Sequence, residues 1–98
     1  MSEERREERL PPRRLKPGDK FYRDTVTFEI VENNVVRGYR QPPIYIISYV
    51  IRDGDYESDV AHLFLRENDD AREWIDRVMN HYIRNRDYIR RRLRRVAR

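Results

Sequence analysis

Cysteine is absent from the 98 residues, which excludes disulfide staples, thiolate zinc sites and cysteine nucleophiles. Glycine occurs three times, at Gly18, Gly38 and Gly54, each in a turn-like context. Neither a phosphate-cradling loop nor a dinucleotide fingerprint can be assembled from them. Ser48 and Ser58 stand in no recognisable nucleophile motif. The longest apolar stretch, around "PPIYIISYVI", covers about half a bilayer. The opening "MSEERREERL" lacks the apolar centre of an export signal. The expectation is a soluble, cytoplasmic protein with no membrane association and no cofactor.

Charge is what the chain has in abundance: 41% of residues are charged and 38% apolar. Burial must therefore be concentrated in a few segments, and oligomerisation would be a natural way to hide more surface. The net charge of +4 is unevenly spread. Residues 84–98 contain eight arginines and a single acid, Asp87. Positive charge collected in this way is how an electrostatic footprint for a polyanion looks, and equally how a basic helix docked on an acidic neighbour looks.

Residues 1–17 hold charges, prolines and two leucines, too little apolar surface to offset the entropy of ordering, and read as a disordered arm. "LPPRRLKP" suits a polyproline II linker. Residues 18–98 then form one domain, with the sheet over about 20–66 and a helix over about 69–97. "TVTFEIVE" alternates Val26, Phe28 and Ile30 with polar residues, the period of a half-buried strand. Asn33 and Asn34 tolerate the left-handed backbone of a two-residue turn, so "VVRGYR" is expected to run back as a second strand. "IYIISYVIR" is apolar on both faces and reads as a central strand covered on both sides. Asp53–Gly54 predicts a hairpin returning through "YESDVAHLFL". The fold class is α+β: an antiparallel meander of four strands, or five if Lys20–Arg23 pairs as well, followed by a long C-terminal amphipathic helix.

Asn68, Asp69 or Asp70 can cap that helix. From Ala71 an apolar stripe runs through Trp74, Ile75, Val78, Met79, Tyr82, Ile83, Ile89, Leu93, Val96 and Ala97. A continuous helix of this length would reach roughly 40 Å, against a sheet face of about 20–27 Å. Either the helix breaks near Asn85, with Asn85 capping a second helix, or Ile89, Leu93 and Val96 pair with the same stripe of a second subunit. The homodimer is the favoured expectation.

On the polar side, Arg77, Arg84, Arg91, Arg95 and Arg98, flanked by Arg90 and Arg94, would form a stripe suited to the phosphate backbone of DNA or RNA. Tyr39 beside Arg40 could stack on an unpaired base, while Tyr45 and Tyr49 read as core residues with wet hydroxyls. "DGDYESD" has alternate acids, as a calcium loop does, but its glycine is second rather than sixth and Phe64 stands where the closing Glu belongs. His62 and His81 give no metal pair, and a nuclease built on His62, Glu57 and an arginine rests on residue types alone. The expected function is non-catalytic nucleic-acid association. The alternative is an assembly module, in which the helix stripe and the arm dock on other chains, an acidic protein partner included.

Overall fold

A computed structural model of the chain describes residues 9–96. The architecture is α+β, with six antiparallel strands in one sheet. The strands are β1 (Lys20–Arg23), β2 (Val26–Val36), β3 (Ile44–Asp53), β4 (Tyr56–Glu57), β5 (Ala61–Arg66) and β6 (Arg94–Arg95). Two helices follow β5: α1 (Ala71–Arg84) and the short α2 (Arg86–Arg90). β3 is central: β2 lies on one side along its whole length, while β5 and β4 share the other. β1 extends the sheet beyond β2, and β6 extends it beyond β4.

The alternation in β2 places Val26, Phe28 and Ile30 in the core, against Tyr45, Ile47, Tyr49 and Ile51 of β3. Phe28 stacks on Tyr49 with ring centroids 4.3 Å apart. Leu65 of β5 and Ala71, Ile75, Met79 and Tyr82 of α1 complete this single core. On the opposite face Val36 and Phe64 remain 49% and 66% exposed, so the central strand is not covered alike on both sides.

Asn33 and Asn34 do not turn the chain. β2 runs straight through them after a bulge at Val31, and Val35 and Val36 pair with Tyr45 and Ile44. The bulge changes which residues face the core and turns Asn33 inward. Its amide Nδ2 there donates to the carbonyls of Pro12 and Leu15, both at 2.9 Å. Reversal occurs instead in residues 37–43, where Arg40 adopts a left-handed φ of 61°. At the β3–β4 hairpin the turn residues are Gly54, at φ 62°, and Asp55, because Asp53 still pairs with Tyr56.

The expected arm is in part a docked segment. Leu15 is 3% exposed and Pro12, which opens a 3-10 turn over Pro12–Arg14, is buried. Leu10 forms a two-way link with the start of α1: its N–H donates to Asp70 Oδ1 at 3.0 Å and its carbonyl accepts from Ala71 N at 2.8 Å. Composition misleads here because three inward-facing residues, with backbone hydrogen bonds, suffice to hold a segment whose charged side chains are all exposed. Residues 1–8 lie outside the described residues.

The long C-terminal helix is replaced by two helices. Asp70 caps α1, its side chain accepting from Arg72 N at 3.1 Å. α1 ends at Arg84: Asn85 has φ −114° and ψ 27°, and its Nδ2 donates back to the carbonyl of His81 at 3.0 Å. Asn85 therefore closes the first helix rather than capping the second with its side chain. Beyond α2 the chain turns and pairs as β6 with β4, and Val96 N donates to Asp55 O at 2.7 Å.

Candidate anion-binding surface

The bend at Asn85 exists alongside a buried carboxylate. Asp53 ends β3 on its helix-facing side and is 2% exposed. Thr25 Oγ1 donates to its Oδ1 at 2.9 Å, and Tyr82 Oη donates to its Oδ2 at 2.7 Å. From α2, Arg90 Nη2 reaches Oδ2 at 2.7 Å and Arg86 Nε lies 3.2 Å away. Burial alone would raise the Asp53 pKa, but hydrogen bonds from Tyr82, Arg90 and Thr25 and the charge of Arg86 hold it below the ordinary carboxylate value. Burial, followed by the Asp53 hydrogen bond and charge, pushes Tyr82 up to about 12. The hydrogen bond to Asp53 raises the Arg90 guanidinium as well.

Arg86 and Arg90 thus fasten α2 to the end of the sheet, and Arg90 also lies over the Tyr56 ring, 5.0 Å from its centroid. Arg90, counted in the sequence among phosphate-facing arginines, is turned inward with its charge compensated. Arg94 is 3.5 Å from Asp59 and 3.9 Å from Glu57. Arg77, Arg84, Arg91 and Arg95 are exposed, and none of them enters an ion pair among the described residues. Arg77 lies over the Trp74 ring and Arg92 over that of Tyr88. Arg98 and Ala97 lie outside the described residues.

Tyr39 is 84% exposed, with the Arg40 guanidinium 5.1 Å from its ring centroid. Both sit in the β2–β3 loop, at the end of the sheet opposite Asp53. The length of β3, roughly 30 Å for a ten-residue strand, separates them from the C-terminal arginines, so the structure does not gather the two groups into one surface. Ile89 and Leu93, assigned in the sequence to a dimer contact, are partly buried against the core of their own chain. Val96 is half-buried beside the β3–β4 turn. The apolar stripe is thereby satisfied within one chain over Ile89 and Leu93.

His62 Nδ1 lies 3.0 Å from Ser48 Oγ, whereas Glu57 pairs with Arg52 four residues further along β3. The residues of the nuclease reading are therefore not brought together. Among the described residues no group of three or more His, Asp or Glu side chains could hold a metal ion, and no helix is long and apolar enough to cross a membrane.

A basic concavity missed in the sequence lies at the other end of α1. Arg9, Leu10, Arg13, Arg14, Lys16, Asp19 and Arg72 line an open groove of about 870 Å³. The available signal was Leu10 and Leu15 bracketing "PPRR": two apolar anchors with prolines between them limit how the intervening arginines can point. The chain matches no protein-family model, no curated protein and no solved structure.

Proposed function

We propose that the chain is a small non-catalytic domain that associates with the phosphate backbone of DNA or RNA, through arginines held on α1 and on the folded C-terminal segment. The observation that supports this reading is a division of labour among arginines. Arg86 and Arg90 pair with Asp53, Arg86 with Asp24 as well, while Arg84, Arg91 and Arg95 are exposed without an acidic partner among the described residues. Charges presented from an ordered segment lose less conformational entropy on binding than charges on a free tail.

The test is fluorescence anisotropy with single- and double-stranded oligonucleotides across a salt series. Arg91→Gln with Arg95→Gln should reduce the salt slope by about 1.4 for single strands and about 1.8 for duplex, two contacts' worth. An unchanged slope, or no binding at low salt, removes the reading. Truncation after Ile83 is the poorer variant, since it deletes Arg86 and Arg90 and leaves the buried Asp53 without either cation.

A second reading, an assembly module for another protein or a second copy, is favoured by Val36 and Phe64, exposed on the sheet face turned away from α1. Light scattering on the full chain separates it: a dimer that Phe64→Ser dissolves supports the assembly role.

A further inference from the structure

We infer that the groove lined by Arg9, Arg13, Arg14, Lys16 and Arg72 is a second anion site, independent of the C-terminal arginines, that takes a ligand carrying neighbouring phosphate groups. Among the described residues the lining holds four arginines and a lysine with one carboxylate, Asp19; the Arg9 guanidinium also donates to Asn68 O, so Arg13, Arg14 and Lys16 are the cations that carry the site. That carboxylate is already engaged, accepting from Lys16 N at 2.9 Å. None of the ion pairs among the described residues uses Arg13, Arg14 or Lys16.

The side chains are presented by a fixed backbone. Pro12 and Leu15 point inward, so Arg13 and Arg14 between them point out. The segment is tied at three places, once to the start of α1 and twice to β2. Leu10 is held by Asp70 and Ala71, Pro12 and Leu15 are held by Asn33, and Gly18 N donates to Ile30 O at 2.8 Å. Lys16 and Asp19 close the segment with a turn, Asp19 N donating to Lys16 O at 3.0 Å. A rigid frame that holds like charges together is destabilised by their repulsion unless an anion lies among them.

The lining also selects the ligand's chemistry. Guanidinium pairs bidentately with phosphate oxygens, and the groove's volume of about 870 Å³ exceeds what one phosphate fills. Among the described residues its one apolar member is Leu10 and no aromatic ring lines it, so the lining offers bases no stacking surface and recognition falls on the phosphates. A polyphosphate chain and a stretch of nucleic-acid backbone share this chemistry.

The experiment titrates the full chain at low salt with inorganic tripolyphosphate and, separately, with an oligothymidylate of about 12 nucleotides. Arg13→Gln with Arg14→Gln should weaken tripolyphosphate by roughly tenfold or more, and Arg13→Lys with Arg14→Lys should restore part of the loss. The glutamine pair should also unfold at equal or higher temperature, since it relieves repulsion. Arg91→Gln with Arg95→Gln should leave tripolyphosphate affinity within about twofold, which separates failure of this site from failure of the C-terminal surface. Loss of both probes in the groove variant assigns the site to nucleic-acid backbone as well; loss of tripolyphosphate alone assigns it to free polyphosphates. Absence of tripolyphosphate binding, or wild-type affinity in the glutamine pair, overturns the inference.

Discussion

Asp53 and Tyr82, 29 positions apart, meet at 2.7 Å in the interior, where the Tyr82 hydroxyl donates to a carboxylate that also receives Arg86 and Arg90. This contact joins the end of β3, the last turn of α1 and all of α2. It fixes where the C-terminal chain goes, and so which arginines are left facing water.

Replacing Asp53 by Asn keeps the shape and removes the charge. Arg90 then lacks its counter-ion while Arg86 keeps Asp24, 3.4 Å away, and stability to urea should fall by about 3 kcal/mol, the low end for breaking a buried pair because Arg86 and Arg90 keep partial access to water. Tyr82→Phe removes one charge-assisted hydrogen bond and should cost about 1.5–2 kcal/mol. Equal urea midpoints for wild type and Asp53→Asn would show that the cluster contributes nothing.

The same cluster shapes pH dependence at both extremes. The folded pKa of Asp53 is depressed, so its contribution is present above the unfolded value of about 3.9 and disappears as pH falls through the lower folded value. Tyr82 is raised to about 12, so its contribution is complete below about pH 10 and is lost as pH climbs from there through 12. Tyrosine absorbance against pH should show late ionisation from Tyr82, and also from Tyr49, which burial raises. Tyr82→Phe should remove one of these late steps.

Asn33 is the tether of the N-terminal segment. Asn33→Ala withdraws the donor from both Pro12 O and Leu15 O and should destabilise by about 1–3 kcal/mol. Limited trypsin digestion should then cut after Arg13 and Arg14 faster than in wild type, because local opening of the segment is easier. Unaltered cleavage would count against the tether.

Leu15→Ala separates a docked segment from a loose arm. Leu15 is 3% exposed and packs in the main core, so the substitution should cost about 2–3 kcal/mol in thermal or urea unfolding. A free arm would lose close to nothing.

Much of the framework was legible because it rests on near neighbours. Alternation at Val26, Phe28 and Ile30 marks a strand, Asp53–Gly54 a hairpin, and Asp70 ahead of Ala71 a helix start; each depends on periodicity or on backbone preferences within a few residues. Asn33–Asn34 shows the limit. The same pair that suits a turn also suits a strand whose amide serves two distant carbonyls, and only the arrival of Pro12 and Leu15 decides between them. The groove was missed for a similar reason: Leu10 and Leu15 around "PPRR" hint at it, but Arg13 and Arg14 acquire a direction only once Pro12 and Leu15 are buried.

What the sequence determined by itself is the α+β class, the starts of β2, β3 and α1 and the excess of positive charge toward the C-terminus, all consequences of local pattern and composition. What only the tertiary structure decided is the allocation of that charge. A carboxylate buried at the end of β3 must be compensated, and it draws in Arg86 and Arg90, 33 and 37 positions away, because the fold brings α2 beside it. No local signal encodes that meeting, and it separates the arginines that hold the molecule together from those that face outward.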